Sequence, residues 1–391
     1  MKKQTAIVVL IFGLAAGSTA DTLTLSFFQN ATDNLFQTSF PERDQLSNVA
    51  FSYDKSFRPF SFFTEGHYSY LYRNSEVSYY AQDLGLDYLY SFNEKTAFYA
   101  SAKIGGALYR SAYSDFNYLN IGAIAAVKSY LNPASIVKLN YTLNYKNYGY
   151  SLFDYHSHLA NLSLDRYFES RTTLKAEAAW GYKYFIHPFL PSAALVEDPV
   201  YFGSGNGMGY AGGRMSRRGS YFQASAPGRG QGIQIASFSG LIAQGFGDRL
   251  GIRLSGLRQW TLSGENPFSA IEEFYLVENP SYDMYSWNGH GLSGLLTVEA
   301  PWNVQLKMGY TRSIKNFPGI ESMDLEGTPL GALRKDQKNQ WDARLEKNFS
   351  AFSIVLAYSY VDNSSNDPLF EWRGHFLSFG IDWNLNWGGA K

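Results

Sequence analysis

The chain has 391 residues, no cysteine, and a formal net charge of −1 from 33 basic and 34 acidic side chains. The charge balance leaves no basic excess for nucleic acid, and the missing cysteines exclude a disulfide framework, a thiolate metal centre and a lipidated cysteine. Hydrophobic residues make up 45% and aromatics 17%, with 30 Tyr, 29 Phe and 8 Trp; a water-soluble core does not need so many tyrosines, whereas a boundary between apolar and wet surroundings suits them.

Residues 1–20 read as a secretory signal. Lys2 and Lys3 supply the positive start, residues 6–14 the short apolar stretch, and Ser18 and Ala20 the small residues of a cleavage site before Asp21. The apolar stretch is too short to span a bilayer as a helix. Without the signal the chain has 391 − 20 = 371 residues, which is long for one soluble domain.

From Leu23 onward the dominant period is two. In 352–360, Phe352, Ile354, Leu356, Tyr358 and Tyr360 fall on one face and Ser353, Val355, Ala357 and Ser359 on the other. Residues 172–185 repeat this, with Leu174, Ala176, Ala178, Trp180, Tyr182 and Tyr184 against Lys175, Glu177, Ala179, Gly181 and Lys183. A soluble sandwich strand alternates in the same way. Length separates the two, because these segments outrun a typical soluble strand of about 5–6 residues and reach the roughly 9–11 that a tilted spanning strand needs.

About sixteen such segments begin near Leu23, Gln45, Phe60, Ser78, Thr96, Phe116, Ser135, Tyr155, Thr172, Gly232, Arg249, Gly291, Val304, Asn339, Phe352 and Arg373. A weak first segment would reduce them to fourteen. Their connections alternate in length. Short ones lie at 54–59, 92–95, 131–134, 168–171, 246–248, 300–303 and 349–351, built on turn-forming Gly, Pro, Asn, Asp and Ser. The other class includes the long ones at 30–44, 186–230, 264–288, 317–338 and 362–372. The expectation is an all-β, closed antiparallel transmembrane barrel over 21–391. Short periplasmic turns would face long extracellular loops, and both termini would lie at the periplasmic end.

The last segment reads HFLSFGIDWNLNW, with Leu377, Phe379, Ile381, Trp383, Leu385 and Trp387 alternating to an aromatic end. It resembles the C-terminal strand of bacterial outer-membrane proteins, apart from the tail Gly388-Gly389-Ala390-Lys391. The resemblance covers the whole chain as signal, strand series and last strand. It implies a place in the cell outer membrane, insertion by the barrel-assembly machinery, and contact with outer-membrane lipid and lipopolysaccharide. It implies no particular solute.

The face expected to line the lumen carries Glu65, Asp83, Asp87, Lys103, Lys128, Lys138, Asp165, Lys175, Glu177, Arg253, Glu299, Lys307, Asp342, Arg344, Glu346 and Asp382. Charges at membrane depth must face water or each other, so these residues are expected to form a pore wall or salt-bridged ladders. Similar numbers of both signs point to no strong ion preference. A second set of cations, Arg73, Arg110, Lys146, Lys183, Arg258, Arg312 and Lys315, lies near the outer strand ends among tyrosines. It is expected to be a solvated rim or to meet lipopolysaccharide phosphates.

The longest loop carries Arg214, Arg217, Arg218 and Arg229 in a glycine-rich setting, and the next long loop carries Glu265, Glu272, Glu273, Glu278 and Asp283. Arg214, Arg217 or Arg218 paired with Glu272 or Glu273 would hold the first loop across the opening. Ser269 with Glu272 matches a capping box for one short helix. Chemistry is harder to find. His156 and His158 share a strand face without a third metal ligand, and Ser157 points to the opposite face. No catalytic residue, metal or cofactor is expected. The function expected is an outer-membrane pore for passive or substrate-selective diffusion of small solutes. The alternatives are a plugged structural or adhesion barrel that binds partners through its loops, and an outer-membrane lipid hydrolase.

Overall fold

The computed structural model describes residues 21–187, 232–266 and 282–387. The signal, the arginine-rich loop, the Ser269–Glu272 capping box and the Glu272–Glu273 pair lie outside the described residues, as does the lid of Arg214, Arg217 and Arg218 on those glutamates.

The described chain is a closed ring of sixteen antiparallel strands. They are β1 (Asp21–Thr32), β2 (Asp44–Phe57), β3 (Phe60–Leu71), β4 (Tyr79–Ser91), β5 (Thr96–Tyr109), β6 (Tyr118–Asn132), β7 (Ser135–Tyr148), β8 (Tyr155–Tyr167), β9 (Thr172–Phe185), β10 (Gly232–Phe246), β11 (Leu250–Ser263), β12 (Asn288–Ala300), β13 (Val304–Met323), β14 (Pro329–Asn348), β15 (Phe352–Ser365) and β16 (Trp372–Trp387). Each pairs with its neighbours in sequence. The seam is β1 against β16, in register from Asp21↔Trp387 to Thr32↔Phe376. Gly380 lies under the Phe28 ring at this seam, where a Cβ would come within 2.2 Å of ring carbons. No described helix is long and apolar enough to cross a membrane.

One expected loop is not a loop. Residues 317–338 continue β13 and β14, each 20 residues long, into a hairpin that outreaches its neighbours. Pro318, Gly319, Gly327, Pro329 and Gly331 obscured the alternation. The pairing absorbs two register shifts, between Asn316 and Glu321 and between Glu321 and Met323. The β14 start therefore moves from Asn339 back to Pro329.

Cross-strand register carries one phase of every strand around the ring. Lys103 sits opposite Gly122, Gly122 opposite Asn144, Asn144 opposite Ser157, Ser157 opposite Lys183, and Lys183 opposite Ile233. This phase holds most of the buried side chains, and the connecting segments pack on it, so it faces the lumen. The other phase carries Leu84, Ile104, Leu139, Leu162, Phe238, Leu254, Leu292, Met308, Leu345, Leu356 and Phe379, all between 42% and 66% exposed. A continuous apolar belt of this kind is stable only against lipid.

Aromatic rings border the belt. At the short-turn end Phe57, Phe60, Tyr88 and Phe98 form a chain of ring contacts 5.1–6.5 Å apart. At the long-loop end Tyr310 packs on Trp341 at 4.4 Å, and Tyr182 and Tyr184 pack around His156 and His158.

Leu356 stands between Leu345 and Phe379 on this outward face. Leu356→Arg should cost about 2–4 kcal/mol of folding free energy if the position is at mid-bilayer. Denaturant titration of the barrel refolded into vesicles reads this directly, and a cost near zero would contradict the assignment of the face.

Candidate functional site

The lumen is built from the inward phase of the strands and from three short 3-10 turns that fold onto it at the long-loop end: Ser75–Val77, Ser111–Phe116 and Ser151–Phe153. Turns folded into a barrel must satisfy their backbone N–H groups without water. Polar side chains at their bases accept them. Asp44 accepts from the N–H groups of Tyr72, Arg73 and Asn74 at 2.9–3.2 Å. The amide oxygen of Asn117 accepts from Tyr109 N–H at 2.6 Å, and Asp154 accepts from Tyr148 N–H at 2.6 Å.

The turns carry Val77, Tyr113, Phe116 and Phe153 into an apolar cluster with Leu71, Tyr79, Tyr109, Tyr148, Tyr155, Phe185, Ile233 and Ile235. This cluster spans the β2–β10 side of the lumen. Across from it the inward residues are small and hydroxylated, among them Ser255, Ser293, Thr311, Ser313 and Ser359.

The twelve residues expected to line the pore all occupy the inward phase: Glu65, Asp87, Lys103, Lys138, Lys175, Glu177, Arg253, Glu299, Lys307, Arg344, Glu346 and Asp382. Several are paired. Lys103 meets Asp83 at 2.9 Å, Lys138 meets Asp165 at 2.6 Å, Lys175 meets Glu177 at 2.6 Å and Arg344 meets Glu346 at 3.1 Å. Asp87 accepts from the Tyr99 hydroxyl at 2.8 Å, and Glu299 accepts from Gln305. Glu65, Asp382, Arg253 and Lys307 have no ion pair or side-chain hydrogen bond among the described residues.

The signs are segregated. Among the described residues, the inward phase of β15, β16 and β1 to β4 carries Asp54, Glu65, Asp83, Asp87 and Asp382 and no Lys or Arg. The inward phase of β5 to β14 holds Lys103, Lys128, Lys138, Lys146, Lys175, Lys183, Arg253, Lys307 and Lys315 among fewer carboxylates. Two lumenal hollows match this division. One of about 350 Å³ is lined by Thr24, Ser26, Ser52, Glu65, His67 and Asp83. The other, of about 490 Å³, is lined by Lys175, Ser239, Ser255, Ser293, Thr311 and Lys315.

Three of the cations expected at the rim lie inside instead. Lys146 is 6% exposed, with its ammonium 4.7 Å from the Tyr118 ring centre. Lys183 is 1% exposed, 4.1 Å from the Tyr155 ring centre and 2.6 Å from Asp283. Lys315 donates to the Tyr282 hydroxyl at 2.6 Å. Arg258 and Arg312 keep the outward phase. The missed signal was parity. Lys146 lies an even number of residues from Lys138, Lys183 from Lys175 and Lys315 from Lys307, so each shares its partner's face.

The end of the acidic loop, 282–287, therefore docks inside. Asp283 reaches Lys183, Gln259 donates to the carbonyls of Met284 and Trp287 at 2.6 and 2.7 Å, and the Tyr285 hydroxyl donates to the His158 carbonyl at 3.2 Å. Burial raises the Tyr285 phenol pKa above its ordinary value, and the Asp283 carboxylate adds to the effect. The phenol thus stays a neutral donor.

His156 and His158 occupy the outward phase, their ring nitrogens 3.2 Å apart, with the Tyr141 hydroxyl 2.5 Å from His158. Ser157 points into the lumen and is buried. The two sides of the sheet separate these groups.

No protein-family model matches the chain, and no curated protein sequence matches it. Solved structures do. OccK8 (OprE) of Pseudomonas aeruginosa superposes with a TM-score of 0.50 at 10% identity, over 94% of this chain and 98% of that one. OpdK of the same organism, in a structure with vanillate, gives 0.50 at 11% identity over 95% and 100%. OccAB1 of Acinetobacter baumannii gives 0.50 at 8% identity over 94% and 96%. The chain shares a closed-barrel fold with these proteins over that length, and its own described ring has sixteen strands.

Breaking a buried ion pair on one side strands the other charge, at a cost of about 3–5 kcal/mol, whereas removing both charges is tolerated. Asp283→Ala should accordingly loosen 282–287, with faster amide exchange at Tyr285 and Ser286 and unchanged exchange in β9. The Lys183→Met, Asp283→Leu double variant should recover most of the protection. Equal loosening in both variants would show that the pair does not hold the segment.

Proposed function

We propose that the chain is an outer-membrane channel for the diffusion of small polar solutes, and that its lumen sorts them by charge distribution. The observation that carries this reading is the segregation of unpaired charge. Glu65 and Asp382 project from one wall, and Arg253 and Lys307 from the other. Charges facing each other across water in a low-dielectric wall set up a transverse field that orients a passing dipole. The hydroxylated flank opposite the aromatic cluster supplies hydrogen bonds along the path without binding a solute tightly. A barrel of the same fold, OpdK, has been crystallised with vanillate, which supports admission of a small solute.

A plugged barrel is the second reading, favoured by the aromatic cluster at the long-loop end. On that reading the loops bind partners, with outer-membrane lipid and lipopolysaccharide around them. The barrel-assembly machinery is the proposed partner during insertion on either reading. A lipid hydrolase draws less support, because His156 and Ser157 point to opposite faces of the sheet.

Planar-bilayer recording separates the two. The channel reading expects stable ohmic steps, whereas a plugged barrel gives none. Under a salt gradient, Glu65→Lys with Asp382→Lys should move the reversal potential towards anion preference by roughly 10 mV or more, and Arg253→Glu with Lys307→Glu should move it the opposite way. Both shifts should shrink at high salt, where the field is screened. Steps without either shift would leave a channel but remove the sorting role of these four side chains.

A further inference from the structure

On the outward surface, at the long-loop end of the closing seam, lies a cleft of about 490 Å³. Ala31 of β1 and Leu377 of β16 give it an apolar floor. Tyr72 and His375 stand at its sides, and Arg43 and Arg73, just beyond the ends of β2 and β3, stand at its loop-end margin. Both arginines are exposed.

The acids that share the cleft are already committed. Asp33 accepts the backbone N–H of His375 at 2.7 Å. Asp44, 2% exposed, accepts from Gln45, Tyr72 and Arg73 N–H through one oxygen and from Asn74 N–H and its side-chain amide through the other. Among the described residues neither guanidinium pairs with a carboxylate. The same Asp44 bonds hold the backbone of Arg73 in place. His375 is steadied by the Tyr358 hydroxyl at 2.8 Å and by the Tyr360 ring at 4.9 Å.

We propose that this cleft binds a phosphorylated lipid of the surrounding leaflet, its phosphate at Arg43 and Arg73 and an acyl chain along Leu377 and Phe379. The inference rests on the seating of the barrel in an outer membrane. Unpaired arginine forks suit phosphate oxygens. The apolar floor and its continuation along the exposed Leu377 and Phe379 on the outward face of β16 suit a ligand with a chain attached rather than a free ion.

Native mass spectrometry of the mature barrel in detergent tests this with three probes: lipid A carrying both phosphates, the same lipid with its phosphates removed, and inorganic phosphate as competitor. The phosphorylated lipid should stay bound to the parent protein and to an Arg312→Gln control on another part of the outward face. Arg43→Gln with Arg73→Gln should weaken retention about tenfold, and Arg43→Lys with Arg73→Lys should fall between. The dephosphorylated lipid should be lost as readily as from the double variant, and inorganic phosphate should not displace the lipid. Equal retention by the double variant overturns the site, as does equal retention of the dephosphorylated lipid. Displacement by inorganic phosphate overturns the lipid in favour of a free anion. Heat-modifiable mobility on gels confirms that each variant is folded. A parent protein that fails to insert into bilayers overturns the membrane seating itself, whereas one that inserts and conducts while the double variant keeps its lipid overturns the cleft alone.

Discussion

Hydrocarbon offers no partner to a backbone N–H or C=O, so a sheet that crosses it must close on itself. The rest of this molecule depends on that closure. It requires β1 and β16 to meet in full register, which brings both ends of the described chain to the short-turn end. It also forces every strand to present one phase to lipid and the other to the lumen. A single slip of register would put Lys307, Arg344 and Glu346 into the bilayer and Leu306, Leu345 and Leu356 into the lumen. The cost of exposing those charges to lipid is what holds the register.

The same rule recurs on a smaller scale inside the barrel. Segments that fold inward leave water, and their backbone groups need partners again. Asp44, Asn117 and Asp154 accept N–H groups at the bases of the 3-10 turns, and Gln259 donates to the carbonyls of 282–287. Side chains do for these segments what a neighbouring strand does for a strand. Cations drawn into the same region rest on aromatic faces. Lys146 lies over Tyr118, Lys183 over Tyr155, and Arg334, 2% exposed, over Phe370 at 3.3 Å while it pairs with Asp336 at 2.6 Å. Ring faces, with Asp283 for Lys183 and Asp336 for Arg334, replace part of the lost hydration. The tyrosines and phenylalanines therefore serve two environments, the lipid boundary outside and the buried cations within.

Strand positions were largely legible in the sequence because period two is a local signal that the lipid enforces over a dozen residues. Apart from β14, starts such as Phe60, Thr96, Ser135, Tyr155, Thr172, Val304 and Phe352 are those of the structure, and the others differ by a few residues. The β13–β14 hairpin was obscured because its upper part stands clear of the bilayer. There Pro318 and Gly319 cost little and the alternation has no lipid to answer to. That the twelve charges share one phase of the sheet was legible from the alternation alone. Lys146, Lys183 and Lys315 were misplaced for a different reason. Nearness to a strand end suggested a rim, while parity with Lys138, Lys175 and Lys307 pointed inward. Parity is set by the pleat of the strand and holds to its last residue; nearness to an end says nothing about the face.

The lumen itself is uneven around its circumference. Aromatic side chains accumulate on the β2–β10 side because the inward turns fall after β3, β5 and β7, and each turn needs apolar neighbours to bury its own Val77, Phe116 or Phe153. Beyond β10 the connections differ. The β13–β14 hairpin packs on the 3-10 turn Pro368–Phe370 that precedes β16, with Met323 N–H donating to Asp367 and Arg334 over the Phe370 ring, and 282–287 packs close to the wall against Gln259 and Lys315. The inward phase there stays small and hydroxylated, with Ser255 hydrogen-bonded to Ser293 at 2.7 Å. An apolar mass on one flank therefore need not seal the barrel, since the other flank is furnished for water. The opposed charges lie along β16, β3, β11 and β13, so they bracket that wetter flank, and a solute moving along it would pass between them.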